Sequence, residues 1–203
     1  DAHVRRGEWR VAFGVSAFLG QDVHHATLGI IGMGRIGQAI ARRAVGFDMR
    51  VFYHNRTRLD AADEARLGAA WVERDQLLAE ADFVTLHVPE TPQTKNMIGA
   101  AELARMKKGA CLLNASRGTV VEIDALAAAL KSGHIGGAAV DVYPSEPSSN
   151  SDGFESPLRN LRNVILTPHI GGSTEEAQEA IGKEVSTALI KFVNQGATTG
   201  AVN

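Results

Sequence analysis

Short apolar runs rich in β-branched residues alternate with alanine-rich segments of helical period from residue 27 to residue 195. Nearly all of these runs are continuously apolar, which is typical of parallel strands covered on both faces. They predict strands at residues 27–32, 49–54, 82–88, 110–114, 138–142 and 164–167. The intervening segments predict helices at residues 36–45, 61–67, 76–80, 102–106, 123–131 and 174–194. The alternation therefore predicts an α/β fold, Rossmann-like and doubly wound, with a mainly parallel sheet and helices on both faces.

Polar and glycine residues mark the ends of several predicted helices. Ser173, followed three residues later by Glu176, predicts a capping box at the start of the last helix. Gly196 predicts the end of that helix, and Gly68 and Gly133 predict the ends of two earlier helices. The boundaries of these helices are therefore expected to follow side-chain and glycine caps.

One long irregular stretch, residues 143–160, is rich in proline and serine. Loops of this length inside a domain are usually functional or mobile. The chain shows no repeat, no low-complexity tract and no internal linker. Residues 1–203 are therefore expected to form a single domain.

Composition and charge exclude several classes of protein. The 203 residues carry 21 Lys and Arg against 23 Asp and Glu, so the net charge of −2 indicates no nucleic-acid or acidic-lipid partner. No apolar run approaches the ~18 residues of a membrane span. Residues 11–19 faintly imitate a signal peptide, but Asp1 and Glu8 lie in the would-be basic region and no small-residue cleavage site follows. The single cysteine, Cys111, excludes an intrachain disulfide framework and suits a reducing compartment such as the cytoplasm; its place in a predicted strand favours a buried, unreactive thiol.

A glycine pattern follows the first predicted strand and opens the next predicted helix. In Gly32-Met33-Gly34-Arg35-Ile36-Gly37, the first glycine allows a tight turn and Gly34 lets the backbone approach a pyrophosphate. Gly37 allows close packing of helix against strand, and the anion would lie on the helix N-terminus. The pattern predicts a dinucleotide site; a glycine turn that binds nothing is the alternative.

The end of the second predicted strand lacks the carboxylate that usually holds the ribose 2′-hydroxyl of NAD. Asn55 can instead donate a hydrogen bond to a 2′-phosphate, and Arg56, with or without Arg58, can neutralise it. We therefore expect NADP(H) to be preferred to NAD(H). A solvated turn containing Arg56 and Arg58 is the alternative.

Three chemically suited residues follow three predicted strands: Arg117, Glu146 and His169. Ligands of open α/β sheets bind at the carboxyl ends of the strands. A histidine is the obvious group to move the proton when a hydroxyl is oxidised by hydride transfer. Glu146, if paired with His169, would orient the ring and favour its protonated form, and Arg117 would bind a substrate carboxylate bidentately. Any one of the three taken alone is more often structural or solvated.

His24 and His25 are adjacent in the sequence. In a strand their side chains would point to opposite faces, and no suitably spaced Asp, Glu or Cys is evident. We therefore expect no metal site.

Five segments together resemble the nucleotide-binding domain of the D-isomer-specific 2-hydroxyacid dehydrogenases: GIIGMGRIG, LHVPETPQTKNMIG, LLNASRGTVV, AAVDVYPSEP and LTPHIGGST. The resemblance covers essentially the whole chain, and it implies that Arg117, Glu146 and His169 are the catalytic residues. It further implies contacts to each part of the dinucleotide: the pyrophosphate, the ribose, the adenosine and the nicotinamide. The implied cofactor-binding residues are Gly32, Gly34, Arg35, Ile36, Gly37, Asn55, Arg56, Thr57, His87, Val88, Pro89, Ala115, Ser116, Arg117, Asp141, His169, Gly171 and Gly172.

Two branches of this family are mixed along the chain. From about residue 82 onward the sequence resembles the D-3-phosphoglycerate dehydrogenases of serine biosynthesis, whereas the earlier part resembles the glyoxylate or hydroxypyruvate reductases, which are usually NADP-linked. A natural or engineered fusion would explain this pattern. The family also implies a lid domain that completes the substrate site, and 203 residues leave no room for it.

We therefore expect an enzyme domain that transfers a hydride between NAD(P) and a 2-hydroxy or 2-oxo acid, and that turns over poorly without its lid. A dinucleotide-sensing interaction module and a folded domain without activity are the alternatives. The family pairs its nucleotide-binding domains, so the apolar segment 9–19 is expected to meet a second subunit in a homodimer, unless it packs on its own sheet.

Overall fold

A computed structural model describes residues 2–8, 20–149 and 151–198. Seven strands form one parallel sheet, in the order β3-β2-β1-β4-β5-β6-β7. The strands are β1 (Thr27–Ile31), β2 (Arg50–His54), β3 (Ala69–Trp71), β4 (Phe83–Leu86), β5 (Cys111–Asn114), β6 (Gly137–Val140) and β7 (Val164–Leu166). The α-helices are α1 (Ala2–Arg5), α2 (Arg35–Ala44), α3 (Ala61–Leu67), α4 (Arg74–Glu80), α5 (Ala100–Arg105), α6 (Ile123–Lys131) and α7 (Glu175–Gln195), and two 3₁₀ turns lie at Val45–Phe47 and Gly118–Val120. The predicted Rossmann-like fold is confirmed.

Alternate residues of the central strands build two hydrophobic cores, one on each face of the sheet. Leu28 and Ile30 of β1 belong to the core under α2 and α3. Ile31 belongs to the larger core with Leu77 of α4. Helix α4 packs directly on β1, because a Cβ atom on Gly29 would lie only 2.5 Å from Leu77 Cδ2. Burying each of these side chains stabilises the fold by about 1.5–3 kcal/mol.

All six predicted strands are present. Five of them are shorter than predicted by one to three residues, β6 begins one residue earlier and ends two residues earlier, and β3 was not predicted. Its three residues, Ala69–Trp71, contain two alanines and follow directly on the helix that ends at Gly68. The strand forms because it pairs in parallel with β2 at the edge of the sheet. Such a short, alanine-rich segment carries no periodic signal of its own.

The last part of the chain is less covered than the sequence predicts. The side chain of Ile165 in β7 is 67% exposed, so this edge strand is not covered on both faces in the part of the chain that the structure describes. Helix α7 has no buried residue, and Ile181, Val185 and Leu189 lie exposed at successive turns. The outer face of β7 and all of α7 are therefore open to solvent within the described ranges.

The cap of α7 lies one residue later than predicted. The Thr174 hydroxyl accepts a hydrogen bond from the backbone N–H of Ala177, so the expected capping box from Ser173 to Glu176 is wrong. A Thr hydroxyl caps a helix start in the same way as a Ser hydroxyl, and the sequence offers both in adjacent positions. The predicted end at Gly196 is confirmed, since Gly196 is the left-handed C-cap.

The expected divergence of His24 and His25 is also wrong. The two residues occupy a turn closed by the hydrogen bond from Ala26 N to Val23 O, and His25 has a φ of +63°. Because the backbone reverses here instead of running as a strand, the two rings come together, with centroids 3.9 Å apart. Asp48 lies beside them, so a carboxylate distant in the sequence does complete a group of three possible metal ligands.

Two further expectations concern the environment of the chain. Cys111 lies in β5 as a free, half-buried cysteine, and burial raises the pKa of its thiol. Across the described ranges, no helix combines the length and the apolarity needed to cross a membrane. The predicted arm at residues 9–19 lies outside the described residues.

Candidate functional site

The strand order reverses next to β1, because β2 pairs on one side of it and β4 on the other. A crevice at the carboxyl ends of two such strands is the usual ligand site of an open α/β sheet. Here it forms a cleft of about 540 Å³, which we call the glycine cleft. It brings together eight of the predicted cofactor-binding residues: Gly32, Gly34, Asn55, Arg56, Thr57, His87, Val88 and Pro89.

The three glycines of the turn meet different steric demands. Gly32 has a φ of +100°, and a Cβ there would lie 2.4 Å from the carbonyl oxygen of His87. A Cβ on Gly37 would lie 2.3 Å from the carbonyl oxygen of Gly32. A Cβ on Gly34 would meet nothing within 4 Å, so this position faces open space. Packing therefore requires Gly32 and Gly37, whereas Gly34 is left free for a ligand.

The first turn of α2 follows the glycine turn and forms the other part of the expected pyrophosphate site. It contains no acidic side chain, and Arg35 and Ile36 are exposed there. The unpaired backbone N–H groups of a helix start attract an anion. The residues of the turn fit a pyrophosphate, and Gly32 and Gly37, which close packing requires, maintain the shape of the turn.

Asn55 links the end of β2 to the glycine turn. Its Oδ1 accepts a hydrogen bond from the backbone N–H of Met33 at 2.7 Å, which leaves the amide nitrogen to donate to a ligand. Arg56 is exposed at the glycine cleft and forms no hydrogen bond or ion pair with the other described residues. Asn55 and Arg56 thus present donors and a positive charge where the sequence predicts them.

Arg58, the other candidate ligand for a phosphate, forms an ion pair with Glu64. Its Nε and Nη2 donate to the two carboxylate oxygens of Glu64 at 2.8 and 2.7 Å. The hydroxyl of Tyr53 also donates to Glu64, at 2.8 Å. These hydrogen bonds, that from Arg58 first, lower the pKa of Glu64 to about 2. The bidentate pair occupies Nε and Nη2 of Arg58, so the structure favours Arg56 over Arg58 as the ligand of a phosphate.

Arg74, at the start of α4, is a cleft residue that the sequence did not reveal. It lines the glycine cleft together with Arg56, and its Nη2 lies 3.6 Å from Glu102 Oε1. It was missed because β3, the strand that positions the start of α4, was not predicted. The structure thus adds a second cation to the cleft.

His87 lies at the floor of the glycine cleft, one residue beyond β4. Its Nε2 is 3.0 Å from the hydroxyl of Thr85, and burial lowers its pKa. The imidazole is thereby kept neutral near pH 7. A neutral His87 suits the lining of a nucleotide pocket.

Glu146 and His169 meet although they follow different strands. Oε2 of Glu146 lies 2.9 Å from Nδ1 of His169. The other oxygen, Oε1, accepts a hydrogen bond from the backbone N–H of Tyr143 at 2.9 Å. Together these contacts, with that to His169 the larger, lower the pKa of Glu146. The expected pairing of the two side chains is present.

The backbone of His169 is held in an unfavourable conformation. Its φ is +52°, a left-handed region that residues other than glycine seldom adopt, although histidine, asparagine and aspartate tolerate it better than most. Oδ1 of Asp141 accepts hydrogen bonds from the backbone N–H of His169, at 3.2 Å, and from the hydroxyl of Thr167. The hydroxyl of Tyr143 reaches the carbonyl oxygen of Thr167 at 3.0 Å. The loop after β7 is therefore fixed from the end of β6, and this fixes the ring of His169.

The loop of Arg117 packs against the loop that carries Glu146. A Cβ on Gly118 would lie 2.0 Å from the backbone of Tyr143, so only glycine allows this approach. Nη1 of Arg117 donates to the carbonyl oxygen of Ser116 at 2.7 Å. The guanidinium, exposed and within the electrostatic reach of Glu146, also lowers the pKa of that carboxyl.

The remaining predicted residues lie around these loops. Ser116 is buried, and its N–H and hydroxyl both donate to Asn114 Oδ1, whereas Ala115 is exposed. Gly171 and Gly172 are exposed directly after His169 and before α7. A second cleft, of about 640 Å³, lies beside Glu146 and His169 and includes Phe154 and Arg159. The irregular stretch predicted at residues 143–160 therefore lines a cavity next to the histidine.

A family model described as "D-isomer specific 2-hydroxyacid dehydrogenase, NAD binding domain" matches residues 1–171. The chain belongs to this family. It is the family that the sequence resembled, and the match covers the glycine turn, Arg117, Glu146 and His169.

Relatives from two enzyme classes align with the chain. D-3-phosphoglycerate dehydrogenase of Dictyostelium discoideum is 52% identical over 90% of this chain and 44% of its own length. Glyoxylate reductase of Thermococcus litoralis is 47% identical over 100% of this chain and 60% of its own length. The chain thus spans about half the length of the curated relatives it matches, and both classes align across it.

A solved structure gives the same fold. D-lactate dehydrogenase of Aquifex aeolicus, complexed with NAD and lactic acid, superimposes with a TM-score of 0.81 at 32% identity, over 95% of this chain and 60% of that one. The chain thus matches the NAD-binding domain of the D-isomer specific 2-hydroxyacid dehydrogenase family in sequence and in fold.

Proposed function

We propose that this domain binds a nicotinamide dinucleotide along the carboxyl edge of its sheet and supports hydride transfer between the nicotinamide and a 2-hydroxy or 2-oxo acid. The adenosine half would lie in the glycine cleft, near Asn55 and His87, with the pyrophosphate on the turn at Gly34. The nicotinamide half would extend toward Ala115, Ser116 and Asp141. β1 and β6 are separated by three strand spacings, about 14 Å, which gives the direction and extent of this path.

The contact between Glu146 and His169 carries the proposal. An ionised carboxylate only accepts hydrogen bonds, so Nδ1 of His169 holds a proton and Nε2 is the atom that exchanges one. The bound nicotinamide would supply or accept the hydride. When a 2-oxo acid is reduced, Nε2 of His169 donates a proton to the substrate oxygen; in the oxidation, Nε2 removes the hydroxyl proton. Glu146 holds the ring in one tautomer and in one orientation.

Arg117 is proposed to bind the carboxylate of the substrate. A guanidinium has five N–H donors, and one nitrogen of Arg117 is already fixed on Ser116. The remaining donors allow a bidentate contact that orients the substrate carbon. Gly118 keeps this loop against the loop of Glu146, so the two groups stay in register.

We further propose that NADPH is preferred to NADH. The support is the pair of cations at the glycine cleft, Arg56 and Arg74, together with an amide nitrogen of Asn55 in place of the usual carboxylate. A ribose 2′-phosphate gains charge-assisted hydrogen bonds there, whereas a 2′-hydroxyl gains little. Arg56 is the central group, because Arg74 already has Glu102 beside it.

Two substrate classes are proposed as alternatives: glyoxylate and hydroxypyruvate, or 3-phosphoglycerate. The relatives named above carry these two activities between them. A dinucleotide sensor would need no hydrogen bond between Glu146 and His169, so the geometry favours an enzyme. The experiment is a fusion of residues 1–203 with the remaining part of the T. litoralis glyoxylate reductase. Glyoxylate and hydroxypyruvate are assayed as hydride acceptors with NADH or NADPH, and 3-phosphoglycerate is assayed as a hydride donor with NAD⁺ or NADP⁺.

The fusion is expected either to oxidise NADPH with glyoxylate or hydroxypyruvate or to reduce NADP⁺ with 3-phosphoglycerate, and its His169→Asn variant is expected to lose that activity. The chain by itself is expected to bind the dinucleotide and to turn over poorly, because water has open access to His169, whose side chain is 46% exposed. Robust turnover by the chain alone would contradict this view. A fusion that folds and binds the dinucleotide, but neither reduces the two oxo acids nor oxidises 3-phosphoglycerate, would contradict the proposed reaction.

We also propose that the protein forms a homodimer through the apolar segment at residues 9–19. A mainly apolar segment of this length is stabilised when a second subunit covers it. Light scattering at micromolar concentration is expected to give twice the mass of the chain, and a monomeric mass would contradict the proposal.

A further inference from the structure

Three side chains with metal-binding atoms meet at the amino ends of β1 and β2. Ligand atoms of His24, His25 and Asp48 all lie within 4.8 Å of one another. Nε2 of His24 is 3.6 Å from Oδ2 of Asp48. All three residues are exposed, so an ion can reach them.

The backbone holds the two loops that carry these residues together. The N–H of His25 donates to the carbonyl oxygen of Phe47 at 3.1 Å, and the N–H of Arg50 donates to the carbonyl oxygen of Ala26 at 3.1 Å. These bonds continue the pairing of β1 with β2 beyond the ends of the strands. The approach of the three ligands thus follows from the sheet and does not depend on an ion.

The turn that carries His25 and the turn that carries Asp48 both contain a residue with left-handed backbone. His25 has a φ of +63°, and Asp48, the C-cap of the Val45–Phe47 turn, has a φ of +49°. Histidine and aspartate tolerate this region better than most residues, and asparagine tolerates it as well. Asparagine is therefore the substitution that removes a ligand at either position while keeping the backbone.

We propose that His24, His25 and Asp48 bind one divalent transition-metal ion of the zinc class, with water completing the coordination. Bonds of about 2.0–2.1 Å in a tetrahedron place ligand atoms about 3.4 Å apart, close to the separation of His24 and Asp48. Two imidazoles and one carboxylate suit zinc, copper or nickel. Calcium and magnesium prefer sites built of oxygen ligands, and the cluster offers a single carboxylate.

The site is remote from the proposed chemistry. The five residues of β1 separate the loop of His25 from the glycine turn, a distance of about 16 Å along the strand. An ion here would join the segments that precede β1 and β2 and would stabilise the folded chain against unfolding. It would leave dinucleotide binding unchanged.

The test is calorimetric titration of the 203-residue chain with zinc chloride at about pH 7.5, where imidazole is a neutral ligand. Asp48→Asn and His25→Asn remove one ligand each. Glu80→Gln is the matched control, since Glu80 is a 40% exposed carboxylate at the same end of the sheet, 3.7 Å from Arg50. Titration of each variant with NADH reports whether its fold is intact, and a thermal melt with and without zinc gives a second readout.

One zinc ion is expected to bind per chain and to raise the melting temperature. Each ligand variant is expected to weaken binding by at least ~10-fold, whereas Glu80→Gln keeps the wild-type affinity and all variants keep their affinity for NADH. The proposal is overturned if the chain binds no zinc with a dissociation constant below about 0.1 mM. It is also overturned if either ligand variant keeps the wild-type affinity, or if Glu80→Gln weakens binding as much as they do.

Discussion

Oε2 of Glu146 lies 2.9 Å from Nδ1 of His169, and this contact joins two side chains from the loops that follow β6 and β7. Glu146→Gln keeps the size of the side chain and an acceptor oxygen, but it removes the charge that stabilises a protonated ring. In the fusion enzyme we expect kcat to fall by about 10²-fold with little change in dinucleotide affinity.

The control for that variant lies in the same loop region. Glu155→Gln removes a carboxylate that is 89% exposed and paired with Arg159. Its kcat is expected to stay at the wild-type value. Equal losses in both variants would show that negative charge near the site matters in general and that the contact with His169 does not.

The left-handed backbone of His169 predicts that asparagine can replace it without loss of the fold. His169→Asn places a residue equally tolerant of left-handed backbone at a φ of +52°. We expect the free energy of unfolding to change by no more than about 1 kcal/mol, while turnover in the fusion is lost. Urea denaturation of the chain and NADPH oxidation by the fusion are the two measurements. A larger loss of stability would show that the ring itself stabilises its loop.

Two neighbouring arginines separate cofactor recognition from stability. Arg56 is unpaired among the described residues, whereas Arg58 is bound by both oxygens of Glu64. Arg56→Ala is expected to raise the dissociation constant of NADPH by at least ~10-fold and to leave that of NADH unchanged. Arg58→Ala is expected to leave the ratio of the two constants unchanged. Fluorescence titration checks both variants, and a shifted ratio in Arg58→Ala would contradict the assignment.

The glycines of the turn predict opposite results for the same substitution. Gly37→Ala places a Cβ 2.3 Å from the carbonyl oxygen of Gly32, so we expect unfolding to become easier by about 1–3 kcal/mol. Gly34→Ala places its Cβ in open space, so stability is expected to hold while dinucleotide binding weakens. Thermal melting and titration with NADH separate the two effects. If Gly34→Ala bound NADH as tightly as the wild type, the pyrophosphate would not lie on this turn.

The pair of Glu64 and Arg58 predicts a pH dependence of stability. The pKa of Glu64 in the folded chain is about 2, below its ordinary value near 4.5. A lowered folded pKa stabilises the fold above the ordinary value, and that stability is lost as the pH falls toward 2. Between about pH 5 and about pH 2.5, the wild type is expected to lose more unfolding free energy than Glu64→Gln. Parallel losses in the two proteins, measured by urea denaturation, would show that Glu64 is not the group responsible.

Much of the sheet could be predicted because its strands are buried on both faces and are therefore apolar without interruption. Ala69–Trp71 could not be predicted, since an edge strand of three residues owes its conformation to pairing with β2. Arg74 was not predicted as a cleft residue, because it begins the helix that follows this unpredicted strand. The turn at His24 and His25 was also misjudged, because the left-handed backbone of His25 is set by the hydrogen bond of its N–H to Phe47.

The sequence predicted which side chains form the site. It did not predict the contacts that hold those side chains in place. The glycine turn, Asn55 and the pairing of Glu146 with His169 follow from residue types placed after strands. The contacts of Asp141 could not be predicted in this way. Its Oδ1 accepts hydrogen bonds from the hydroxyl of Thr167 and from the backbone N–H of His169. A contact between a side chain and a backbone N–H 28 residues later depends on the three-dimensional packing of the loops.

Calorimetric titration of the chain with NADH and with NADPH tests the central claim most directly, because the glycine turn and Arg56 both act on the measured constants. We expect both dinucleotides to bind at one site per chain, with NADPH the tighter. Tighter binding of NADH would contradict the assigned role of Arg56. Binding of neither dinucleotide by a folded chain would contradict the proposed function itself.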